Sequence, residues 1–513
     1  MASLFEVLSS LAINHSLIYS MQIRTFMIKT HRLLGAVMSV FFVAWFLSGI
    51  VLIYKPYPKY TQDEALAHSA RIPEALPSTD SLAVVLRARG LDTLQLSSLS
   101  LQGGSYADSR ARLVLQPEEG ERTELALDGD SLRSLVLDRA YLEDIASRWG
   151  QRIERIDTIQ ELDQWVPFGR LKAELPFYRL LLTGGAGHEV YVSSLTGRVL
   201  QESTRVERAW AWAGAIPHWI YFTWIRSQQE LWRWVIIVLG ALGTMMAVTG
   251  FYIGISYYRM RGRRKGSKLY SPFTKKRYQW HHAFGTIGGL LTITWVLTGL
   301  LSVVHYPHTE TEDYPVARLE GAPLRLEAYR TDLEALRQAE PELRRLSFYS
   351  WGDIPLLQAE GGEEVHYYDA RSAQPRRLEL TEAEITGELQ KVFGAEHQYR
   401  RDFLEEYDSY YIDRTRKLPL PVWRIAIDTK EHHSYYVSPE RGRGRLIADN
   451  ERIDAWMFSK LHRLQFAKLV AQPWLWTLVM WGFLLIGTIT SVTGLWMTGD
   501  YLKRLWRKRR RRP

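Results

Sequence analysis

The chain has 513 residues, enough for several domains, and its formal net charge is +9. It contains no cysteine, which excludes disulfides, thiolate-held iron–sulfur clusters, covalently attached c-type haem and a cysteine nucleophile. Much of the positive charge lies in short runs beside long apolar segments, a distribution that favours contact with anionic lipid over binding of nucleic acid.

Residues 1–30 predict an amphipathic or disordered leader. The basic residues Arg24, Lys29 and Arg32 come after the apolar part, whereas a signal peptide begins with its basic residues. Met21 is an alternative start, because nothing before it is needed for the pattern that follows.

Four uncharged apolar stretches predict four transmembrane helices, since about 20 such residues cross a bilayer. They are Leu33–Tyr54, Trp234–Tyr258, Ala283–Val304 and a part of Leu469–Gly499. In the last stretch the helix is expected to start at Pro473. Many of the nineteen tryptophans lie beside these runs, as interfacial belts require.

The third stretch has histidines at both ends. His281 and His305 are 24 residues apart, so on one straight helix they lie roughly 36 Å from each other. They therefore offer an imidazole near each membrane surface and cannot share a ligand.

Charge predicts the orientation, because short loops rich in Lys and Arg stay in the cytoplasm. The connection 259–280 and the tail 500–513 are strongly basic, so both termini are predicted to be cytoplasmic. The predicted segments are leader 1–30, helix 31–54, outer module 55–230, helix 231–258, basic loop 259–280, helix 281–305, outer module 306–468, helix 469–499 and basic tail 500–513.

The two halves of the chain form an internal repeat. His218 and His462 each precede the glycine of a Val-Thr-Gly by 32 residues. The repeat predicts a pseudo-two-fold axis along the membrane normal. The other matched positions are His31 with His281, Gly35 with Gly285, Trp45 with Trp295, Ser48 with Thr298, Gly49 with Gly299, Trp212 with Trp456, Asp163 with Asp408, Pro176 with Pro421, and Arg179 with Arg424.

The repeat places histidines at both ends of the predicted helices. His31, His281 and His282 lie at the cytoplasmic ends, and His218, His305 and His462 lie at the outer ends. A two-fold axis lets matched histidines face each other, and a bis-imidazole pair in a helix bundle is a common way to hold haem b. The alternatives are isolated interfacial histidines and, more weakly, zinc, since no carboxylate accompanies them inside the spans.

Paired glycines within the spans fit the same picture. They allow helices to approach closely or leave room for a flat macrocycle, and simple helix packing explains each of them equally well. The pairs are Gly240 with Gly243, Gly250 with Gly254, and Gly285 with Gly289.

The outer segments predict small α+β modules. Ser81–Arg89 has a helical pattern, and alternating strands are expected near 94–101, 111–115, 178–182, 189–192, 422–427 and 435–438. No nucleophile elbow, phosphate loop or dinucleotide fingerprint is present. His432 and His433 are expected to be solvated on a hairpin turn.

Each module also has an aromatic and basic cluster suited to a flat or anionic ligand. The alternative is an interfacial aromatic belt whose arginines contact lipid headgroups. The candidate substrate-binding residues are Trp165, Arg170, Arg179, Trp212, Tyr410, Tyr411, Arg414 and Arg424, and their clusters also include Phe168, Trp210, Tyr407, Arg416 and Trp423.

From residue 24 to 500 the chain resembles the PepSY-associated transmembrane family of bacterial inner-membrane proteins. The resemblance rests on His31-Arg-Leu-Leu-Gly, the Ser48-Gly and Thr298-Gly pairs, the Val-Thr-Gly helix ends and Asp408-Ser-Tyr-Tyr followed by Leu-Pro-Leu-Pro-Val-Trp-Arg. It implies an α+β membrane protein, with a four-helix bundle built from two tandem repeats that each carry a periplasmic PepSY-like module.

Members of that family include haem-containing ferric-siderophore reductases. The resemblance therefore implies two b haems, with iron ligands among His31, His281 or His282, His218, His305 and His462. Electrons would pass from quinol or a separate cytoplasmic reductase to a ferric siderophore or chelate, releasing Fe(II). Two alternatives remain open, namely electron transfer to a periplasmic partner protein and a haem-free anchor for PepSY binding or regulatory modules. A transporter is disfavoured because the spans lack charged residues.

Overall fold

The structure is a computed structural model that describes residues 2–73, 76–91, 96–103, 111–117, 123–128, 131–134, 136–259, 270–304, 313–320, 322–361 and 364–510. These residues form a mixed α+β protein with long apolar helices and β-rich modules.

The described helices are α1 (Ala2–Leu52), α2 (Gln62–Ala67), α3 (Thr79–Ala88), α4 (Arg139–Ser147), α5 (Arg205–Ala213), α6 (Ala215–Trp219), α7 (Thr223–Arg226), α8 (Gln229–Arg259), α9 (Lys276–Ile287), α10 (Gly289–Leu301), α11 (Leu333–Ala339), α12 (Glu382–Phe393), α13 (Asp449–Asp454), a π-helix (Ala455–His462), α14 (Ala467–Val470) and α15 (Pro473–Arg510).

The described strands are β1 (Leu96–Gly103), β2 (Ala111–Pro117), β3 (Thr123–Asp128), β4 (Ser131–Ser134), β5 (Ile153–Ile159), β6 (Phe177–Leu182), β7 (Glu189–Ser193), β8 (Val199–Ser203), β9 (Leu343–Trp351), β10 (Ile354–Gly361), β11 (Glu364–Asp369), β12 (Tyr399–Leu404), β13 (Val422–Ile427), β14 (Ser434–Val437) and β15 (Gly444–Ile447).

Within the described ranges, three helices are long and apolar enough to cross a membrane. They are Met21–Leu52 of α1, Gln229–Tyr258 of α8 and Pro473–Arg504 of α15. A fourth span is complete only if α9 and α10 are counted together, and these two helices are bent by 64° at a short break.

The prediction of one straight third helix is therefore wrong. The break falls at Gly288, which lies between α9 and α10 (φ −85°, ψ −2°), and Gly289 follows it directly. Two adjacent glycines weaken a helix at that point. Ile486 of α15 packs so closely there that a Cβ on Gly288 would lie 2.5 Å from its Cγ2. His305, the other end of the predicted span, lies outside the described residues.

The apolar helices close into a bundle. Helix α1 packs against α8 and α15, and the bent pair packs against the same two helices. Met38, Phe42, Phe46 and Trp295 are buried in its core. At one end of the bundle, which we call the basic end, Arg277 and Asp500 form an ion pair at 2.9 Å. The opposite end of the bundle, which we call the module end, meets the β-rich modules.

The ends of the bundle helices differ from the sequence prediction in two places. Helix α1 begins at Ala2, so the predicted leader is a helix continuous with the first span. Helix α15 begins at Pro473, which confirms the predicted start, but it runs on to Arg510 through the predicted tail. A helix longer than an apolar run is expected where polar residues of high helix propensity follow it.

The two modules share one sheet. Seven strands run in the order β11-β10-β9-β1-β2-β3-β4, and the antiparallel pairing of β1 with β9 joins the first module to the second. Each module also has a four-stranded sheet, β5-β6-β7-β8 in the first and β12-β13-β14-β15 in the second. The helix predicted at 81–89 is observed as α3, and the strands predicted at 178–182 and 422–427 are observed as β6 and β13.

Candidate functional site

Two histidines face each other at the basic end of the bundle. His31 lies on α1 and His281 on α9, and their ring centroids are 6.2 Å apart with the ring planes inclined by 49°. Both side chains are half-buried. The structure thus brings together two positions that the sequence repeat had matched.

Both of these rings are fixed in the same way. His31 donates from Nδ1 to the carbonyl of Met246 on α8 at 3.0 Å. His281 donates from Nδ1 to the carbonyl of Thr490 on α15, also at 3.0 Å. A carbonyl only accepts, so the proton lies on Nδ1 and the lone pair on Nε2. Among the described residues neither Nε2 has a hydrogen-bond partner.

A glycine one turn after each carbonyl makes room for the ring. A Cβ on Gly250 would lie 2.6 Å from His31 Cε1, and a Cβ on Gly494 would lie 3.2 Å from His281 Cε1. The Val-Thr-Gly motifs therefore have a physical purpose, because any side chain at these glycines would push the imidazole out of place.

A second pair of histidines lies at the module end. His218 on α6 approaches the Trp45 carbonyl at 3.2 Å and Ser48 Oγ at 3.1 Å through Nδ1. His462, at the end of the π-helix, makes the matched contacts. Its Nδ1 lies 3.0 Å from the Trp295 carbonyl and 3.2 Å from Thr298 Oγ1. All four imidazoles are thus oriented by a backbone carbonyl, with Nε2 left as the lone-pair nitrogen.

The two histidines at the module end are neutral near pH 7. Burial, together with the proximity of His462, lowers the pKa of His218 to about 4. Burial also lowers the pKa of His462 to about 4. A neutral imidazole is the form that ligates a metal, so neither ring needs to lose a proton before binding one.

A cavity of about 360 Å³ surrounds the pair at the basic end. Ligand pockets are typically of this size or larger, up to about 1,000 Å³. Its wall is mainly apolar and rich in glycine, and Arg32, Tyr501 and Arg504 supply polar groups. Other lining residues include Gly35, Phe42, Phe46, Gly250, Gly254, Gly285 and Gly289.

The two histidines at the basic end, His31 and His281, fit a metal ion that is already bound to most of its ligands. If two imidazoles held one metal ion between them, bonds of about 2.0 Å and roughly 1 Å from each nitrogen to its ring centre would separate the ring centroids by about 6 Å. The observed separation is 6.2 Å. Within the described ranges no three His, Cys, Asp or Glu side chains come together as a metal site. The two imidazoles would hold a metal that is already bound to a macrocycle, whereas zinc would need further ligands that the described residues do not supply there.

His282 also lines the cavity, but it is held by a different contact. It is buried, and its Nε2 donates to the Gly254 carbonyl of α8 at 3.0 Å. Its Nδ1 is buried without a partner among the described residues, beside the ring of Tyr258. Of the two adjacent histidines, His281 is thus the one that faces His31, while His282 joins α9 to α8. No contact can be given for His305, which is outside the described ranges.

Aromatic rings fill the interior between the two pairs. Phe42 contacts Trp45 with ring centroids 5.7 Å apart, and Phe46 contacts Trp295 at 6.1 Å. Phe42 and Phe46 also line the cavity at the basic end, and the carbonyls of Trp45 and Trp295 hold the histidines at the module end. The two sites are therefore connected by packed side chains.

The structure places the predicted arginines of the module clusters in ion pairs. Arg179 contacts Asp157 at 2.8 Å, and Arg424 contacts Asp402 at 2.8 Å. Tyr411 is buried, with its ring stacked on Tyr436 at 5.0 Å. These three residues stabilise the modules, and the geometry leaves them little freedom to hold a ligand.

The other predicted ligand-binding residues lie closer to open surface. Arg170 packs over Phe168, Arg414 packs over Trp476, and Trp212 is half exposed beside Phe222. Trp165 stacks on Tyr57, and Tyr410 lines a polar cavity of about 350 Å³ in the second module.

One of the two turn histidines is not solvated. His433 is 6 % exposed, and its Nδ1 lies 2.7 Å from Thr429 Oγ1. The prediction was wrong for His433 because the turn packs against Tyr314 and Phe393. His432 is exposed, as predicted.

Sequence reasoning missed two features of the site. Trp45, Ser48, Trp295 and Thr298 were matched by the repeat, but their contacts with the histidines were not foreseen. Lys460, which lines the polar cavity of the second module, was not singled out. Comparing the two repeats position by position would have revealed it, because the first repeat has Ile216 there.

The comparison with protein families gives one match. The model of the family described as PepSY-associated TM region matches residues 28–498. No curated protein matches the chain.

Proposed function

The chain belongs to the family of PepSY-associated TM regions, and from this premise we propose that it is a membrane electron-transfer protein with two b haems. One haem would lie between His31 and His281 and the other between His218 and His462. The protein would reduce a ferric siderophore or another ferric chelate at its module end and release Fe(II).

One observation carries the proposal, namely that four histidines on different elements share one hydrogen-bond pattern. Each Nδ1 meets a backbone carbonyl, and the four carbonyls belong to Met246, Thr490, Trp45 and Trp295. The contact alone is not specific to a ligand, since His68 at the end of α2 also has its Nδ1 2.9 Å from a backbone carbonyl, but the four contacts here occur at matched positions of the two repeats. In a metal-ligating histidine, the bond from Nδ1 fixes the tautomer and the ring orientation.

A bound haem would supply reversible one-electron chemistry, and the chain's own residues would tune it. The hydrogen bonds from Nδ1 make each imidazole a stronger donor to iron. Ser48 and Thr298 add a hydroxyl beside each ring at the module end. At the basic end, Arg32 and Arg504 line the cavity and would pair with the carboxylates of a haem.

The packed interior supports transfer between the two sites. Phe42, Phe46 and Trp295 are each less than a tenth exposed. They exclude water from the region between the histidine pairs, which lowers the local dielectric and reduces the reorganisation that accompanies a change of charge.

We also propose that the four spans form two tandem repeats, with the basic end in the cytoplasm and the modules in the periplasm. The support is the basic character of 259–280 and 500–513 and the matched contacts of the histidines. Electrons would enter at the basic end from quinol or a separate reductase, because the chain carries no nicotinamide or flavin fingerprint.

The reduction of a ferric chelate is tested with the purified, haem-loaded protein. After stoichiometric reduction with dithionite, a ferric chelate is added and the reduced haem bands are followed by stopped-flow absorption, with a ferrozine assay for Fe(II). We expect reoxidation with one Fe(II) formed per electron. Reoxidation by air but not by ferric chelates would favour electron transfer to a periplasmic partner protein instead.

A second function, a haem-free anchor for binding or regulatory modules, is favoured by one observation. The seven-stranded sheet joins the modules through β1 and β9 without involving any of the four histidines. The protein would then be colourless when purified from cells that can supply haem, whereas the electron-transfer proposal requires a coloured protein.

A further inference from the structure

Lys460 of the second module is buried, and within the described ranges no carboxylate pairs with it. Lys460 is 5 % exposed, and its Nζ lies between two aromatic rings, 4.3 Å from the centroid of Tyr410 and 4.2 Å from that of Trp456. Among the described residues it forms no ion pair. The cation–π contacts stabilise the ammonium only in part, and a buried charge remains costly without a counter-ion.

Lys460 lines a polar cavity of about 350 Å³ that contains further basic groups. Arg445 and Arg463 contribute to its wall, and neither is in an ion pair within the described part of the chain. The one acidic residue in the wall, Asp413, is already engaged by Thr415 Oγ1 at 2.8 Å and by the Lys417 amide at 2.7 Å. The wall therefore carries four cations, Lys417, Arg445, Lys460 and Arg463, against the single carboxylate of Asp413, which leaves an excess of positive charge.

The charge belongs to the second repeat alone. Matching His218 with His462 aligns Ile216 with Lys460 and Trp219 with Arg463. Ile216 is fully buried in an apolar cluster of the first module. The two repeats hold their histidines in the same way, but two apolar residues of the first repeat are replaced by two cations near His462 in the second.

The local backbone differs as well. Lys460 and His462 lie on the π-helix Ala455–His462, whereas the matching segment of the first repeat consists of α5 and α6, joined at Gly214. Single turns of π-helix are rare and are often found at functional sites. The cationic cavity is thus built two residues away from a histidine of the candidate site.

We propose that this cavity binds a small soluble anion with carboxylate or phosphate groups, held by Lys460 and Arg463 with Ser459 as a further hydrogen-bond donor. Binding does not depend on haem. Its role as the docking site of an anionic electron acceptor beside His462 rests on the proposed function. The corresponding face of the first repeat, which has Ile216, would not bind such a ligand.

A phosphate group can also come from a lipid headgroup. Arg414, which follows the wall residue Asp413 in the chain, packs over Trp476 near the start of the spanning helix α15. The shared chemistry is that of a phosphate or carboxylate anion, and the two sources differ in whether the ligand reaches the cavity from water.

The test is calorimetric titration of the full-length protein, in a neutral detergent, with citrate and with inorganic phosphate at constant ionic strength. Lys460→Met removes the buried charge, and Lys468→Met makes the same chemical change on the exposed surface of α14. We expect saturable binding by wild type and Lys468→Met, with affinity at least about tenfold weaker in Lys460→Met. Lys460→Arg keeps the charge, and thermal unfolding shows that each variant is folded.

Equal binding by wild type and folded Lys460→Met would overturn the proposal, as would the absence of saturable binding of either anion. The same titration in nanodiscs identifies the source of the ligand. Saturable binding of citrate or phosphate by the protein in zwitterionic nanodiscs supports a soluble anion. If only anionic lipid protects the protein against thermal unfolding, and citrate and phosphate have no effect, the site is assigned to a lipid headgroup and the proposal is overturned. A colourless protein that binds citrate would contradict the haem proposal but not this one.

Discussion

His31 and His281 face each other with ring centroids 6.2 Å apart, although 250 residues separate them in the chain. Each donates to a carbonyl that lies four residues before a glycine, Met246 before Gly250 and Thr490 before Gly494. The same arrangement of histidine, carbonyl and glycine therefore occurs twice, once between α1 and α8 and once between α9 and α15. The two histidines meet at one cavity.

The first prediction separates the two adjacent histidines of α9. His281→Ala should remove the haem at the basic end and leave about one per chain, because only His281 faces His31. His282→Ala is the matched control and should keep both, at some cost in stability from the lost bond to the Gly254 carbonyl. Haem per chain is measured by pyridine haemochromogen assay. Loss of haem from His282→Ala alone would contradict the assignment of His281.

The second prediction concerns the space beside His31. Gly250→Ala places a Cβ 2.6 Å from the present position of Cε1, so the ring must move. We expect a shifted midpoint potential or loss of the haem at the basic end, together with destabilisation of about 1–3 kcal/mol. Gly482→Ala on α15, where a Cβ meets nothing within 4 Å, is the control. Wild-type redox titrations of both variants would contradict the proposed position of the haem beside His31.

The third prediction concerns the hydroxyl groups at the module end. Thr298→Val removes the hydroxyl 3.2 Å from His462 Nδ1 but keeps the Trp295 carbonyl, so haem content should stay unchanged. The midpoint potential of the haem at the module end should shift, because a group that polarises its ligand is lost. Potentiometric titration followed by absorption measures this shift. Ser48→Ala should act on the same haem through His218, and an effect on the other haem would count against the pairing.

The fourth prediction concerns the pH dependence of the module's stability. The hydrogen bond from Arg424 lowers the pKa of Asp402. A lowered folded-state pKa means that the pair stabilises the protein above the unfolded value of about 3.9, and that the stabilisation is lost as pH falls through the lowered pKa. Arg424→Ala should therefore lower the unfolding temperature clearly at pH 7 and less near pH 3.

The control for that experiment is Lys430→Ala, an exposed residue of the turn between β13 and β14, which should change the unfolding temperature little at either pH. Differential scanning calorimetry at both pH values provides the comparison. A pH-independent effect of Arg424→Ala would show that the side chain stabilises the module through packing alone.

Three of the spans and the facing of His31 and His281 could be predicted from the sequence, because both depend on patterns that the sequence itself displays. Uncharged runs identify apolar helices, and equal spacing of His218 and His462 from the Val-Thr-Gly glycines identifies the repeat. The choice between His281 and His282 could not be made, since adjacent residues on a helix point about 100° apart and only the packing shows which one faces His31.

Other features required the three-dimensional register. Asp157 lies directly opposite Arg179 across β5 and β6, and Asp402 lies opposite Arg424 across β12 and β13. Once these cross-strand neighbours are known, the arginines are recognised as ion-pair partners. The pairing of β1 with β9 and the bend at Gly288 likewise depend on distant contacts, which no local pattern reveals.

The measurement that tests the central claim most directly is the absorption spectrum of the purified protein, oxidised and then dithionite-reduced, with the haem counted per chain. The account predicts sharp reduced b-type bands and close to two haems per chain. It also predicts close to one haem in His31→Ala and in His462→Ala, with a different spectral component lost in each variant. A protein without haem, purified from cells able to supply it, would contradict the account, and so would loss of both haems from each single variant.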